Sequence, residues 1–505
     1  MELATSGMIP MIDSFAEKEL NIPVTTLMGR SGEAVAKAVR ELCPTPCRVS
    51  VLAGSGNNGG DGYAAAFYLL PDYKVCIYDV FSRGQKNAAG ENWRQKYLSA
   101  SGKIKNGMPT PEEIDDTDCL IDAIFGTGFS GEIPREFSEI VSYINSKNNV
   151  KTVSVDVPLG VNADDGSISD ILLDADVNVS LSYSKVGVHS YPAREHIGKI
   201  VVDDIGISRD AVNTKFVFKN YLTDFSLASS ILPKRKANSS KGTFGKAMLL
   251  VGSEKYPGAA MLALEAALRG GVGVANYVGT PSLCQKLQLR SPEAIYTSLD
   301  HTIDAQREKF VSLACSASSI LIGSGSEATE SLYLTTSELL GNEGGVVVLD
   351  ADAINSIAFF GTPNVISNAK RKVVLTPHPL ELSRLTGLSV AEIQANRYSV
   401  ARDFAQKHNC ILVLKGAATI ITDGETTYVN SSGSSALAKA GSGDVLAGLI
   451  TSLLAFSHDP LKVSALAVYI HGRAADILAK ELSEFGVTPS DLPRECARVI
   501  ASLIK

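Results

Sequence analysis

A chain of 505 residues exceeds what one hydrophobic core holds, because cores stop growing at about 250–300 residues, and two domains are the simplest organisation. Its 45% apolar and 20% charged residues are ordinary for a globular protein and exclude a disordered chain. A formal charge of -7, from 47 basic and 54 acidic residues, leaves no electrostatic footprint for nucleic acid or an anionic membrane, and no window approaches the roughly 18 uninterrupted apolar residues of a membrane span.

The N-terminal stretch carries acidic and polar groups throughout and lacks the basic start and apolar block of a secretion signal, so a cytoplasmic protein is expected. The eight cysteines are scattered. Cys76 and Cys119 lie inside apolar strand-like runs, which reads as reduced structural thiols rather than a disulfide framework. Cys43 and Cys47 flank a short Pro-Thr-Pro loop without a second pair for zinc, so two free thiols and no structural metal are expected there.

Four β-branched runs follow, RVSVLAG (48–54), KVCIYDV (74–80), CLIDAIFG (119–126) and KTVSVDVP (151–158), with helical patterns between them. This is the βαβ rhythm of a mostly parallel sheet. The runs are apolar almost throughout, as strands covered by helices on both faces should be. A three-layer α/β domain is predicted. After the first run, Gly54-Ser-Gly-Asn57-Asn58-Gly59-Gly60-Asp61-Gly62 leads into the apolar helix YAAAFYLL. Such a loop exposes backbone N–H groups at a helix N-terminus, where phosphate is favoured. The next strands end in Asp122-Ala-Ile-Phe-Gly126-Thr127-Gly128 and Asp156-Val-Pro-Leu159-Gly160. In an open parallel sheet, all three segments converge beyond the carboxyl ends of the strands.

From Arg209 to Ser240 the pattern is less regular and includes the basic run Lys234-Arg235-Lys236, read as a solvated linker. The boundary is placed near residue 215, giving domains 1–214 and 215–505. The βα rhythm then restarts with KAMLLVGS (246–253), SILIGSG (319–325), VVVLDAD (346–352), VVLTPH (373–378) and ILVLKG (411–416). A second three-layer α/β domain is predicted.

Its strongest cluster is Asn430-Ser-Ser-Gly433, then Lys439-Ala-Gly441-Ser442-Gly443-Asp444, opening a long apolar helix. A GSGD start offers backbone N–H groups to a developing anion and sets a carboxylate beside it. Phosphoryl transfer to a hydroxyl needs both elements. GxGD is similar to the motif found across the ribokinase-like superfamily, which implies a ribokinase-like C-terminal fold.

GSGNNGGDG, DAIFGTGFSGEIP, and SVDVP followed by GVNADDG together resemble the NAD(P)H-hydrate epimerase family over about residues 8–210. The resemblance implies a Rossmann-like domain that interconverts the two epimers of hydrated NADH or NADPH (NADHX, NADPHX). It places Asn57, Asn58, Gly59, Gly60, Asp61, Gly126, Thr127, Gly128, Phe129, Ser130, Gly131 and Glu132 around the dinucleotide. The same resemblance implies that Asp156 would sit at the reacting ring as a catalytic carboxylate and that Asn58 and Asp122 would hold K+. The chain departs from that family at Leu159, where serine or threonine is usual; a leucine side chain cannot coordinate K+.

In the second half, Ser240-Lys-Gly-Thr-Phe-Gly245, Leu349-Asp350-Ala-Asp352-Ala-Ile-Asn355, Thr376-Pro-His378-Pro and Leu414-Lys415-Gly416-Ala417-Ala418-Thr419 resemble the NAD(P)H-hydrate dehydratase family over about residues 225–502. This implies dehydration of the hydrated cofactor driven by ADP or ATP with Mg2+. Asp444 would be the base. Lys415, Gly416, Ala417, Ala418, Thr419 and Gly443 would surround the nucleotide, and Ala259, Gly325 and His378 would line the substrate site with Asp444. Here the family's GPGLG stands as Gly323-Ser-Gly325-Ser-Glu327, its HPGE as His378-Pro-Leu380-Glu381 and its GN as Gly433-Ser434. The resemblance also implies a homo-oligomer. Two other readings stay open: a ribokinase-like small-molecule kinase with an accessory domain, and a dehydratase whose N-terminal half is a non-catalytic binding module.

Overall fold

The computed structural model describes residues 1–81, 87–128 and 132–504. Two compact units emerge, Glu2–Asn220 and Tyr221–Lys505, with Met1 joining the second.

The first unit is built on a sheet with the order Lys103–Asn106, Lys74–Asp79, Arg48–Ala53, Cys119–Ala123, Lys151–Val155, Ala175–Leu181, Ile197–Asp203. Every pairing in it is parallel. The four apolar runs read from the sequence form its middle. The order reverses between Arg48–Ala53 and Cys119–Ala123, which opens a crevice at the carboxyl ends of those two strands. Successive strand residues face opposite sides. Leu52, Tyr78 and Leu120 join one core with Phe137, Ile140 and Ile144 of the helix Phe137–Asn145. Their neighbours Val51, Ile77 and Ile121 are fully buried on the other side. On that side a Cβ added at Gly62 of the helix Asn57–Leu69 would meet Ala123 at 2.7 Å and Val51 at 3.3 Å. Helix, sheet and helix therefore form three layers, and each such buried aliphatic contributes about 1.5–3 kcal/mol.

The second unit carries a sheet in the order Ile295–Ser298, Val274–Gly279, Lys246–Leu250, Ser319–Ile322, Val346–Leu349, Val373–Leu375, Ile411–Leu414, Ile420–Thr422, Thr427–Asn430. It is parallel as far as Ile411–Leu414. The hairpins beyond are antiparallel. Leu249, Tyr277, Leu321, Val348 and Val413 pack with Ala263, Leu449 and Ile470 of three helices, Pro257–Arg269, Ser442–Leu454 and Pro460–Gly486. The alternate residues Leu250, Ile322, Leu349 and Leu412 are buried as well, so both faces are covered. The eight cysteines are free thiols. Among the described residues no helix is long and apolar enough to cross a membrane.

Candidate active sites

At the crevice of the first unit the strand Arg48–Ala53 turns through Gly54–Gly56 into the helix Asn57–Leu69. Glycine is required twice here. A Cβ on Gly54 would lie 1.9 Å from the Ile124 carbonyl oxygen, and one on Gly59 would lie 2.0 Å from that of Gly54. The turn frames a cavity of about 410 Å³ lined by Asn57, Asn58, Asp61, Gly126, Thr127, Gly128 and Asp156, among others. Gly59 and Gly60 do not line it. They are buried packing positions, Gly60 against Met28. Glu132 is exposed, and Phe129, Ser130 and Gly131 lie outside the described residues.

Asp156 follows its strand with φ 68, a left-handed backbone that aspartate adopts more readily than most residues. Its carboxylate pairs with the ammonium of Lys185, which has no exposure to water and also donates to the Leu181 carbonyl at 2.9 Å. Asp61 is pushed well above the usual carboxylate range by burial, reinforced by the charges of Asp156 and Asp13. Asp13, on the helix Met8–Lys18, lines the same cavity. The sequence reading missed Asp13 and Lys185. Their only signals were a charged residue beside an apolar helix face and a lone lysine inside the run SLSYSKVGVH, which has no acidic residue.

Asp122 is fully buried behind the cavity. Its oxygens accept from the backbone N–H of Ile124 at 3.2 Å and of Leu159 at 2.7 Å. Burial nonetheless pushes its carboxyl up to about 6. Asn58 donates through Nδ2 to the Phe125 carbonyl at 2.8 Å. The Leu159 side chain is packed into the apolar core, and its carbonyl accepts from Leu173 N at 3.0 Å.

In the second unit, four neighbouring parallel strands deliver Ser324, Asp350, Thr376 and Lys415 from their carboxyl ends. Asp350 is buried and accepts from Ser324 Oγ at 2.7 Å, Thr376 Oγ1 at 2.7 Å and Lys415 Nζ at 3.0 Å. Lys415 also lies 3.8 Å from the buried Glu381. Burial opposes its charge, yet Asp350 and Glu381 outweigh burial and hold the ammonium firmly protonated. A Cβ added at Gly443 would lie 3.5 Å from Lys415 Nζ, so the start of the helix Ser442–Leu454 meets this lysine. Gly441 caps that helix with φ 103, and Asp444 stands in its first turn. Burial pushes Asp444 up to about 7, with Asp350 adding to the rise and Lys415 opposing it.

Lys415 to Thr419 form the turn between the antiparallel strands Ile411–Leu414 and Ile420–Thr422. Gly416 has φ 139, and a Cβ there would meet the Arg397 guanidinium at 2.9 Å. Ala417 is exposed, Ala418 has φ 45, and Thr419 Oγ1 closes the turn onto the Gly416 carbonyl at 2.8 Å. Gly325 faces Ala259, its missing Cβ 2.7 Å from that methyl. His378 caps the helix Pro379–Thr386, its Nδ1 accepting from Leu380 N at 3.1 Å and Glu381 N at 3.2 Å. Burial and the Lys415 charge lower its pKa, which leaves Nε2–H facing Glu381 Oε1 at 3.3 Å.

Two doubly covered sheets, one parallel and one mostly parallel, each with a buried carboxylate constellation at the carboxyl ends of its parallel strands, define a two-domain α/β enzyme. Residues 24–187 match the family described as YjeF-related protein N-terminus, and residues 247–498 match that described as NAD(P)H-hydrate dehydratase. Among similar proteins, one from Thermofilum pendens named bifunctional NAD(P)H-hydrate repair enzyme Nnr is 30% identical, over 100% of this chain and 97% of its own. One of the same name from Moorella thermoacetica is 31% identical, over 97% and 95%. The crystal structure of the ADP/ATP-dependent NAD(P)H-hydrate dehydratase from Bacillus subtilis, co-crystallized with ATP/Mg2+, is similar with a TM-score of 0.51 and 32% identity, covering 56% of this chain and 98% of that one. A ribokinase-like superfamily protein from Enterococcus faecalis, at 23% identity and TM-score 0.50 over 57% and 98%, shows the same fold in that half. The chain belongs to the family of bifunctional NAD(P)H-hydrate repair enzymes.

Proposed function

We propose that the chain repairs hydrated NADH and NADPH in two steps, epimerising the hydrate in the first unit and dehydrating it at the expense of ADP or ATP in the second. We assign the epimerase to residues 1–214 and the dehydratase to residues 215–505. The observation that carries the reading is Asp444, half-buried in the first turn of the Gly441-capped helix beside Lys415.

For dehydration, the Asp444 carboxylate takes the substrate hydroxyl proton as that oxygen attacks the terminal phosphoryl group. The N–H groups at the start of the helix Ser442–Leu454 and the Lys415 ammonium stabilise the anion that develops. The ring nitrogen lone pair then expels phosphate, and loss of a proton from the adjacent carbon restores the double bond. Gly416, Ala417, Ala418 and Thr419 shape the nucleotide turn with Lys415 and Gly443. Ala259, Gly325 and His378 bound the hydrated ring. Among the described residues no three His, Cys, Asp or Glu side chains group into a metal cage. Bound with the nucleotide beside Lys415 and Gly443, Mg2+ would neutralise the charge of the phosphates.

In the first unit, Asn57, Asn58, Asp61, Gly126, Thr127 and Gly128 hold the dinucleotide against the glycine-rich helix start, and Asp156 addresses the ring. The family resemblance also assigns Phe129, Ser130, Gly131 and Glu132 to the dinucleotide, while Gly59 and Gly60 pack the helix start behind the cavity. A buried carboxylate without a cationic side chain suits a monovalent cation, so Asn58 and Asp122 would hold K+. Leu159 adds no side-chain oxygen, and its buried position supports the second reading, a first unit that binds hydrate without epimerising it. We further place the protein in the cytoplasm, in keeping with its free thiols, and as a homo-oligomer, as the family resemblance implies.

The test supplies mixed epimers of hydrated NADH with ADP or ATP and Mg2+ and follows the dihydronicotinamide absorbance. Full recovery faster than spontaneous epimer exchange is expected. Recovery of one epimer alone favours the non-catalytic first unit, and a stable phosphorylated product with no absorbance favours the kinase.

A further inference from the structure

The cavity of the first unit contains a carboxyl that the substrate and metal assignments leave unused. Asp13 lies between the buried Ile12 and Phe15 on the helix Met8–Lys18, so the packing of that helix carries its side chain to the cavity wall. The charged groups facing it are Lys185 and Asp156 from the sheet side and Asp61 from the helix Asn57–Leu69. Ser31, on the helix Val24–Leu42, lines the same cavity and opposes the rise at Asp61.

Lys185 is already paired with Asp156 and wholly buried. Three carboxyl groups thus share one ammonium in a site shielded from water. Ionising all of them would leave two uncompensated charges, and like charges in a shielded site retain protons. Burial accordingly pushes Asp13 up to about 6, Lys185 opposing and Asp156 reinforcing the rise. A second observation points to a ligand at the same place. Ser182 lines the cavity and is 3% exposed, and its buried Oγ has no hydrogen-bond partner among the described residues. An orphaned buried hydroxyl costs about 1–3 kcal/mol unless a ligand atom meets it.

We propose that Asp13 is a catalytic residue of the epimerase site, acting as the acid that protonates the substrate hydroxyl and the base that recovers the proton, with Lys185 the positioning residue that fixes Asp156. The proposal rests on the epimerase reading of this unit. The neutral Asp13 carboxyl gives its proton to the hydroxyl oxygen on the carbon next to the ring nitrogen. The C–O bond breaks, water departs, and the nitrogen lone pair becomes the second bond of a C=N+ iminium whose charge faces the new Asp13 carboxylate. Water adds to the opposite face of that carbon, and its surplus proton returns to Asp13, directly or through a further water. No redox partner is needed, and the group is regenerated.

The experiment measures epimer exchange in the full chain and in Asp13→Asn and Asp13→Glu, from pH 5 to 9, with hydrate binding and thermal unfolding recorded alongside. Because the acid acts in its protonated form, native kcat should fall as pH rises through about 6. Asp13→Asn should lose at least about 100-fold in kcat, bind hydrate within about threefold of native, and lose the limb near pH 6; Asp13→Glu should restore part of the rate and a limb. Retention of half the native kcat in Asp13→Asn, an unchanged limb in its residual activity, or a loss wholly explained by weaker binding or unfolding overturns the proposal and spares the epimerase reading. A native chain that never exceeds the spontaneous exchange rate sinks both.

Discussion

Removing the Asp156 carboxylate strips the counter-ion from Lys185, an ammonium with no path to water. Asp156→Ala should therefore abolish epimer exchange and also cost up to about 3–5 kcal/mol, since the buried ammonium loses its direct partner and keeps only Asp13 and Asp61, which burial pushes toward the neutral form, near it. Thermal unfolding checks this, and Asp156→Ala combined with Lys185→Met should recover much of the stability but none of the activity. At Asp444 the exposure is greater and no buried partner is orphaned. Asp444→Asn should lower dehydration by about 10²–10⁴ and leave nucleotide affinity within a few-fold, measured by calorimetric titration. Asp444 works as a carboxylate with its pKa raised to about 7, so native dehydration should climb as pH rises through 7 and level off above it. Leu159→Ser should lower the K+ concentration needed for half-maximal epimer exchange while destabilising the first unit by about 2–5 kcal/mol through lost burial. An unchanged K+ response would remove position 159 from the ion site.

The glycine-rich turn is the element on which the first site depends, and its tolerance is set by backbone rather than side chains. Gly59→Ala would drive a methyl onto the Gly54 carbonyl oxygen, 2.0 Å away, so the helix start must shift. A stability loss of about 1–3 kcal/mol or more and weaker hydrate binding are expected, read by thermal unfolding and by titration. Elements of this kind were legible in the sequence. Each central strand is a continuous apolar run, because it is covered on both faces, and each was read within a few residues of Arg48–Ala53, Cys119–Ala123, Val346–Leu349 and Ile411–Leu414. Strands at or near the sheet margins, such as Lys103–Asn106 and Ile295–Ser298, are short, half-exposed and of mixed polarity, and they give no comparable pattern. His378 shows the limit in another way. The family resemblance put it at the substrate site, whereas its ring also caps a helix through Nδ1, a role that depends on where the helix begins.

At the scale of the whole molecule, the two activities should separate cleanly when mixed epimers are supplied. The Asp444→Asn chain should recover no dihydronicotinamide absorbance. In contrast, the chain bearing Asp156→Ala and Lys185→Met should recover one epimer promptly and the other only at the spontaneous exchange rate. The sequence by itself determined the two α/β domains, the family and the loop chemistry of GSGNNGGDG and GSGD, because buried parallel strands and glycine turns at helix starts write themselves into contiguous residues. Only the tertiary structure decided that Asp13, Asp61 and Asp156 share one cavity with the buried Lys185 paired to Asp156 beside it, and that Asp350, Glu381 and Lys415 form one charge cluster. Those groups come from elements far apart in the chain. The electrostatics that sets their protonation depends on burial and distance, which no local spacing encodes.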